Sequence, residues 1–442
     1  MVHHNRIKYS LFVLSAFLIL SLFTNTKIGA AQSDGLVLEW EQHWETYGVG
    51  GTCIPSNRLS VADVDGDGVM EIITGGSMYY LVNGTRTAYE PTLKIYNWDG
   101  QNITLEKSHK LADSIMSIYA GDANGDGAIE IIITGRVSNS TGSFTSLKIW
   151  SYDGEVLVLK GSYEDEGTSI SSVFVSDVDK DGKPEIVSVG RYNNSTQFSA
   201  RLQVWSWDGI SLTLKKSVEW GAANATSANS VYSYDFGNYG VNEIITGGYD
   251  NTLKNSSGQL RIWQWNGEDF YLKANEEWRL KDNIYGLNIA GSVQGNTMVN
   301  NVKVGDVDDD GTPEIITGGF TYDGEKTIAQ LRIWNWNGQT LTLEKSQEWA
   351  TQDIAEVKTI SINDVDGDGR KEIVTSGLSA AYGSFYSDLP EIAQLRVWSW
   401  DGTTLTLKQS EDWYIDQGAT AWNVATGDVD KDGVIELSLI HI

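Results

Sequence analysis

The chain has 442 residues and a formal net charge of −27, with 32 Lys and Arg against 59 Asp and Glu. Such an acidic surface repels nucleic acid and anionic lipid, so neither is expected as a partner. One cysteine excludes an intramolecular disulfide and a cysteine-based metal cage, and five histidines leave little material for histidine-based catalysis. We therefore expect no catalytic residues and no organic cofactor.

The N-terminus has the layout of a secretory signal peptide. The basic residues Arg6 and Lys8 precede an apolar run over residues 11–23, and small residues follow it. This run is shorter than the roughly 20 apolar residues that a transmembrane helix needs, and an uncleaved anchor is the alternative. We expect a signal peptide over residues 1–31, a secreted or cell-surface protein that begins near Gln32, and no further membrane insertion.

One phrase recurs along the rest of the chain and defines a repeat. It reads DVDGDGVMEIITGG at its first occurrence, and successive copies lie 55 to 71 residues apart. A second phrase, such as LRIWNWNG, follows each complete copy, and a third, such as LTLEKSQEW, comes after it. The copies of the first phrase begin at Asp63, Asp122, Asp177, Asp235, Asp306, Asp364 and Asp428.

Each repeat contains four short runs of β-branched and aromatic residues that alternate at period two and end at Gly, Asn or Asp turns. Four strands per repeat are typical of one propeller blade, and seven such blades close a ring. We therefore predict an all-β fold over residues 32–436, a seven-bladed β-propeller of four-stranded blades with loops for calcium between strands one and two. We expect its last blade to be truncated.

The two ends of the repeat region are irregular. Residues 36–44 match the third phrase although no repeat precedes them, so we expect them to supply the outer strand of the last blade. Residues 437–442 leave the repeat pattern, and we expect a non-native tail translated from a sequencing-library adapter.

The first phrase has the spacing of a cation-binding loop. Asp at positions one, three and five, Gly at six and Glu at nine gather carboxylates on a tight turn between two strands. With a backbone carbonyl at position seven, the loop offers only oxygen ligands, which favours Ca²⁺ over zinc, copper or magnesium. The predicted metal ligands are Asp63, Asp65, Asp67, Val69, Glu71, Asp122, Asn124, Asp126, Ala128, Glu130, Asp177, Asp179, Asp181, Lys183, Glu185, Asp306, Asp308, Asp310, Thr312, Glu314, Asp364, Asp366, Asp368, Arg370, Glu372, Asp428, Asp430, Asp432, Val434 and Glu436.

Two other interpretations of these loops fit less well. A helix-loop-helix calcium hand needs flanking helices and Glu at position 12, where the first loop has Thr74. A merely solvated turn does not explain six well-formed copies. The fourth copy keeps Asp235 and Glu243 but has Gly237 and Tyr239 at positions three and five. We predict that this loop is empty and that about six sites bind Ca²⁺.

The loop followed by E-I-[IV]-T-G-G resembles the FG-GAP or VCBS repeat family and is similar to the N-terminal propeller of integrin α subunits. The resemblance covers about residues 36–436. It implies a calcium-binding seven-bladed propeller, often used in adhesion or recognition, with no activity fixed by the repeat. Glu at position nine is a departure, because integrin-type loops commonly carry Asp there.

The connections away from the calcium loops are the expected place of function, because variable loops on a fixed scaffold carry binding residues. The segments over residues 77–91, 279–300 and 378–392 are long, and two of them are rich in aromatic residues. Tyrosines among Ser, Gly and Asn suit recognition of an extracellular protein or glycan as partner.

Two other functions stay open beside this adhesion or recognition module. A polysaccharide-acting enzyme would need a carboxylate pair facing a cleft, for which Asp250, Glu325, Asp388 and Glu391 are available, but no spacing singles them out. A purely structural envelope protein is the other alternative. Candidate glycosylation sites precede x-Ser/Thr at Asn83, Asn102, Asn139, Asn193, Asn194, Asn224 and Asn255.

Overall fold

The fold is all β, as the alternating apolar pattern predicts. The computed structural model describes residues 13–22, 36–46, 58–82, 85–139, 142–193, 198–221, 225–237, 242–251, 256–279, 297–323, 325–381, 391–414 and 420–441. Within these ranges the chain has strands, turns and bends, but no helix. This described part therefore contains no helix with the length and apolarity needed to cross a membrane.

The strands follow one another at short intervals along the chain. They are β1 (Val13–Leu22), β2 (Leu36–Thr46), β3 (Leu59–Ala62), β4 (Glu71–Val82), β5 (Thr85–Trp98), β6 (Ile103–Lys110), β7 (Ser114–Gly121), β8 (Glu130–Asn139), β9 (Gly142–Tyr152), β10 (Leu157–Glu166), β11 (Thr168–Ser176), β12 (Glu185–Asn193), β13 (Phe198–Trp207), β14 (Leu212–Trp220), β15 (Ala225–Tyr234), β16 (Glu243–Asn251), β17 (Ser256–Trp265), β18 (Phe270–Trp278), β19 (Thr297–Gly305), β20 (Glu314–Tyr322), β21 (Thr327–Trp336), β22 (Leu341–Trp349), β23 (Ile354–Asn363), β24 (Glu372–Ala380), β25 (Glu391–Trp400), β26 (Leu405–Tyr414), β27 (Ala421–Gly427) and β28 (Glu436–His441).

The described strands form units of four antiparallel neighbours, which we number as repeats 1 to 7. Repeats 1 to 6 take the strands in chain order, from β3–β6 in repeat 1 to β23–β26 in repeat 6. Repeats 3 and 4 share one eight-stranded sheet through a parallel pair of Phe198 and Ala225, and repeats 5 and 6 share another through Thr327 and Ile354. The phrases of the sequence therefore map onto one strand order per repeat.

Repeat 7 combines the two ends of the chain in the order β27-β28-β1-β2. Residues 36–44 lie in its outer strand, where their match to the third phrase places them. β1 lies inside the predicted signal segment and pairs with both β2 and β28. Leu437 and Leu439, in the predicted non-native tail, are fully buried in β28. Signal cleavage and a foreign origin of the tail stay predictions.

Neighbouring repeats pack through the faces of their sheets. Trp398 and Trp400 of repeat 6, for example, join Ile316 and Ile333 of repeat 5 in one buried cluster. Equivalent clusters join repeats 2 and 3, 3 and 4, and 4 and 5. Burial of large aromatic and branched side chains is the main favourable contribution to such packing.

The first strands of the repeats contact one another in chain order, from β3 with β7 through to β23 with β27, and β27 also contacts β3. A cavity of about 200 Å³ lies between these strands. Each first strand contributes to its wall, as represented by Val61, Tyr119, Phe174, Val231, Lys303, Ser361 and Ala425.

Candidate metal sites

The predicted loops connect the first and second strands of each repeat. In repeat 1, β3 ends at Ala62 and β4 begins at Glu71, so the eight residues between them make the turn. Gly68 at position six has a φ of 86°, and its equivalents in the other well-formed loops lie between 84° and 91°. Only glycine adopts this backbone readily, which explains the Gly at position six.

Glu at position nine is the first residue of the second strand and is buried in every well-formed loop. Its Oε2 accepts a hydrogen bond from the backbone N–H of position two, as from Val64 to Glu71 at 2.8 Å. The same bond recurs to Glu130, Glu185, Glu314, Glu372 and Glu436. One carboxylate oxygen is thus fixed by the backbone, and the other is available to the loop.

Asp at position one organises the turn from the other side. Its carboxylate accepts the N–H of Gly66 in repeat 1 at 2.8 Å and that of Gly182 in repeat 3 at 3.0 Å. Asp at position five instead accepts the N–H of position seven, as from Val69 to Asp67 at 2.6 Å. In every well-formed loop the position-one carboxylate thus accepts a backbone N–H of position four, position six or both.

Positions one, three and nine come together as a compact acidic group. In each group one carboxylate oxygen per residue lies within 4.8 Å of the others. Asp at position five is not part of these groups, and its role as a ligand, like that of the carbonyl at position seven, stays a prediction. The groups are Asp63–Asp65–Glu71, Asp177–Asp179–Glu185, Asp306–Asp308–Glu314, Asp364–Asp366–Glu372 and Asp428–Asp430–Glu436.

Burial makes the ionised form of the position-nine glutamates costly. Burial first, and the charges of neighbouring Asp second, raise the pKa of Glu71 and Glu314 from 4.5 to about 8. The pKa of Glu436 rises to about 8 for the same reasons. Burial and Asp179 raise the pKa of Glu185 to about 7. A divalent cation would offset this repulsion directly.

The donor atoms of these groups fit calcium. Glu71 is 0% exposed, and its buried Oε1 has no hydrogen-bond partner among the described residues. The same holds for Oδ1 of Asp177, Asp306 and Asp428. Buried carboxylate oxygens without a donor are costly unless a cation balances them, and hard oxygen ligands are those that calcium takes.

Repeats 2 and 4 depart from this arrangement. In repeat 2, Oδ1 of Asn124 accepts the N–H of Asp126 at 2.9 Å, as an Asp does at position three elsewhere. In repeat 4, Asp235 and Glu243 do not belong to a three-acid group within the described residues. That the fourth loop is empty stays a prediction, and Tyr239 lies outside the described ranges.

A residue that the sequence analysis missed reaches these groups from the fourth strand. Nζ of Lys408 pairs with Asp366 and lies 3.4 Å from Oε1 of Glu372. Nζ of Lys215 likewise lies 3.5 Å from Oε1 of Glu185. The only signal in the sequence is the residue that follows L-x-L in the third phrase, which is Glu in some repeats and Lys in others.

The turns between third and fourth strands lie on the same edge as the loops, which we call the loop edge. A Cβ placed on Gly154 of repeat 2 would lie 3.1 Å from Oδ2 of Asp65 in repeat 1. A Cβ on Gly100 of repeat 1 would lie 2.8 Å from Oδ2 of Asp430 in repeat 7. In these two places the turn of one repeat thus abuts position three of a neighbouring loop, and repeat 1 abuts repeat 7. A Cβ on Gly338 of repeat 5 would meet no described atom within 4 Å.

The opposite edge carries aromatic rings beside cations. Arg191 lies near the end of β12 and Phe198 lies at the start of β13, and these two strands meet at this edge. Lys358 and Trp422 lie towards it between repeats 6 and 7. The pairs are Arg191 over Phe198 at 4.5 Å, Arg201 over Tyr192 at 3.5 Å and Lys358 over Trp422 at 4.8 Å, measured to ring centroids.

The prediction of an aromatic loop over residues 77–91 is wrong. β4 extends to Val82 and β5 begins at Thr85, so Tyr79, Tyr80 and Tyr89 lie on a long hairpin. The reason is that tyrosines and other residues of high β propensity extended both strands beyond the repeat phrase.

Several other predictions fall on residues outside the described ranges. These are the loop segments over 280–296 and 382–390 with Asp388, and the candidate glycosylation sites Asn83, Asn194, Asn224 and Asn255. They stay predictions.

Comparison with protein families and with curated protein sequences gives no match. No protein-family model matches the chain, and no curated protein matches it in sequence. The repeat, the sheets and the acidic groups therefore carry the functional argument.

Proposed function

We propose that the chain is a calcium-binding, seven-bladed β-propeller of the FG-GAP/VCBS type that acts outside the cell as a recognition module. The four-stranded repeats, the contact of β27 with β3 and the cavity between the first strands support this architecture. The acidic composition argues against nucleic acid and anionic membrane surfaces as partners.

The observation that carries the calcium proposal is the recurrence of one acidic group in five described loops. Each group brings three carboxylates together at one loop, and in repeat 1 a buried Glu71 oxygen has no donor among the described residues. A single acidic cluster on a surface would mean little, but five clusters with the same residue types at the same loop positions indicate one shared ligand. Calcium prefers oxygen ligands and accepts them in a flexible coordination geometry, which suits these groups.

The proposal of recognition is supported by the opposite edge. Aromatic rings with neighbouring cations are groups that dominate contacts with proteins and sugars. Phe198 is 36% exposed, although it is a large apolar side chain. The loop edge holds the metal sites, so the opposite edge is the surface on which we place a protein or glycan.

The test of calcium binding is thermal unfolding of the full chain in excess calcium and in excess chelator, with bound metal counted by mass spectrometry. We expect a higher Tm with calcium and several bound ions, since each site adds about 2.7 kcal/mol at a hundredfold excess over its Kd. An unchanged Tm with no bound calcium would refute the proposal.

The test of recognition is a glycan array and an extracellular protein array, probed with the calcium-loaded chain. A ligand that is found should be lost with Phe198→Ala or Trp422→Ala. The matched control is Ile210→Ala, because Ile210 is 84% exposed in a turn on the loop edge. Binding that depends on Ile210 and ignores both aromatic residues would place recognition elsewhere.

One observation favours polysaccharide chemistry as a second function. Burial raises the pKa of Glu391, which lies at the opposite edge and accepts a bond from Thr420 at 3.4 Å. Glu356 lies close by, ion-paired with Lys358. Two neighbouring carboxyl groups are the side chains that glycoside hydrolysis uses as acid and base. Loss of any polysaccharide cleavage in Glu391→Gln, with binding kept, is the outcome that this second function requires.

A further inference from the structure

Each fourth strand of repeats 1 to 6 carries a β-bulge at the same place. In repeat 6, the register between β25 and β26 shifts between Val397 and Trp398, which leaves Lys408 opposite no residue. A bulge redirects the side chain of the extra residue. The bulged residues are Glu106, Lys160, Lys215, Lys273, Glu344 and Lys408.

Lys408 shows where the bulge directs its side chain. Its Nζ forms ion pairs with Asp366, with Oε1 of Glu372 at 3.4 Å and with Oδ2 of Asp368 at 3.7 Å. Asp366 and Glu372 belong to the acidic group of the same repeat. The ammonium group therefore supplies a positive charge at the position where a cation would sit.

Lys215 repeats this arrangement, and its neighbour does not. Nζ of Lys215 lies 3.6 Å from Oδ2 of Asp179 and 3.5 Å from Oε1 of Glu185. Lys216, the next residue, points away from the loop and pairs with Asp269 of repeat 4 at 2.5 Å. The bulge, rather than the presence of a lysine on the strand, thus brings the ammonium group to the acidic site.

The bulges of β6 and β22 place Glu106 and Glu344 at the strand position that Lys408 occupies in β26. Burial raises the pKa of Glu106, and the charges of Asp65 and Asp67 raise it further. Glu344 is affected in the same way by Asp308 and Asp310 of its own repeat. These two repeats therefore add a carboxylate where repeats 3 and 6 add an ammonium group.

We propose that the bulged residue of the fourth strand decides how tightly its repeat binds calcium. Repeats 1 and 5, with Glu, bind the ion tightly because a further carboxylate faces the site. Repeats 2, 3 and 6, with Lys, bind it weakly because a built-in ammonium group competes for the acidic group. This inference rests on the proposed calcium binding and divides the sites into two affinity classes.

The experiment is calorimetric titration of the full chain with calcium alone, together with a count of ions retained after dialysis. Lys408→Gln removes the competing charge, and we expect one more tight ion, with a Kd lowered about tenfold or more at that site. Glu344→Lys makes the reverse change, and we expect one tight ion fewer. Lys215→Gln is a second variant that should also gain a tight ion.

The matched control is Lys216→Gln, which removes the same charge from the adjacent residue and should leave the count unchanged. Circular dichroism establishes that each variant is folded. If the natural chain binds calcium but Lys408→Gln and Lys215→Gln retain its count and affinities, this inference is overturned and calcium binding stands. If the natural chain binds no calcium, the proposed function and this inference both fall.

Discussion

At the scale of single residues, the glutamate at position nine has the most demanding environment. Glu71 is fully buried, accepts the N–H of Val64 with one oxygen and has no donor for the other among the described residues. A group in this situation is stable only when a proton or a cation balances its charge. Two predictions follow from that balance.

The first concerns pH. Burial and neighbouring charges raise the pKa of Glu71, Glu314 and Glu436 from 4.5 to about 8. The folded chain then binds protons more tightly than the unfolded chain, so the free energy of unfolding in excess chelator should decrease from about pH 5 to pH 8. Urea unfolding at a series of pH values measures this slope.

Calcium provides the control for that slope. The ion displaces the protons, so its stabilising effect should grow as the pH rises over the same range. A chelated chain that is as stable at pH 8 as at pH 5 would contradict the raised pKa values.

The second prediction at this scale is that Glu71→Gln changes the free energy of unfolding differently in chelator and in calcium. The amide keeps an acceptor for Val64 but removes a buried charge, so the variant should be at least as stable as the natural chain in chelator at pH 8. At a calcium concentration a hundredfold above the Kd of this site it should be less stable by up to about 2.7 kcal/mol, because one site is lost. Urea unfolding with and without calcium measures both effects.

Glu155→Gln is the matched control, since Glu155 is exposed in a turn of repeat 2. Its effect should be small under both conditions. A Glu71→Gln chain that calcium stabilises as strongly as the natural chain would remove Glu71 from the ligands.

At the scale of strands, the sequence predicted the number and order of the strands better than the register in which they pair. The phrases alternate at period two, so four strands per repeat and residues 36–44 as an outer strand could be predicted. The bulge at Lys408 could not, because a bulge depends on the partner strand as well as on the residue itself. The contact of Lys408 with the acidic group was missed for the same reason.

A further prediction concerns a bulge in the first strand. The register between β7 and β8 shifts between Ile115 and Ser117, and Gly135 pairs with Ile115 there. A Cβ on Gly135 would lie 1.9 Å from the carbonyl oxygen of Ser114. We expect Gly135→Ala to reduce the free energy of unfolding by about 1–3 kcal/mol, as overpacking does.

Chemical unfolding in saturating calcium measures that reduction. Ser162→Ala, at an exposed position of the fourth strand in the same repeat, is the control and should change little. If Gly135→Ala is equally neutral, the first strand can relax at no cost and the glycine has another explanation.

At the scale of the whole molecule, the two ends of the chain meet in one sheet. The seven copies of the phrase predicted a ring with a truncated last blade, but the described part of repeat 7 has four strands and thus includes a third strand. β1 is this third strand and pairs with β28 and β2. The apolar run over residues 13–22 does not indicate this pairing, because it lacks the repeat phrases.

A chain that lacks residues 1–35 tests this arrangement. The deletion removes β1 and leaves the backbone groups of β28 unpaired at an exposed edge, which favours pairing with another chain. If β1 belongs to the folded chain, we expect a lower Tm and self-association, measured by calorimetry and size-exclusion chromatography. A deleted chain with the Tm of the full chain would instead support cleavage of residues 1–31 as a signal peptide. Deletion of residues 1–12, which precede β1, is the control, and equal behaviour of the two chains would contradict the pairing of β1.

The close approach of Gly154 to Asp65 has a consequence for the order in which the proposed sites would bind calcium. The turn of repeat 2 lies beside the position-three carboxylate of repeat 1, and Gly100 of repeat 1 lies likewise beside Asp430 of repeat 7. An ion that fixes Asp65 would therefore also restrain the turn of repeat 2. We expect nearest-neighbour cooperativity, in which occupancy spreads between adjacent loops and the repeat with the fewest acids, repeat 4, interrupts it.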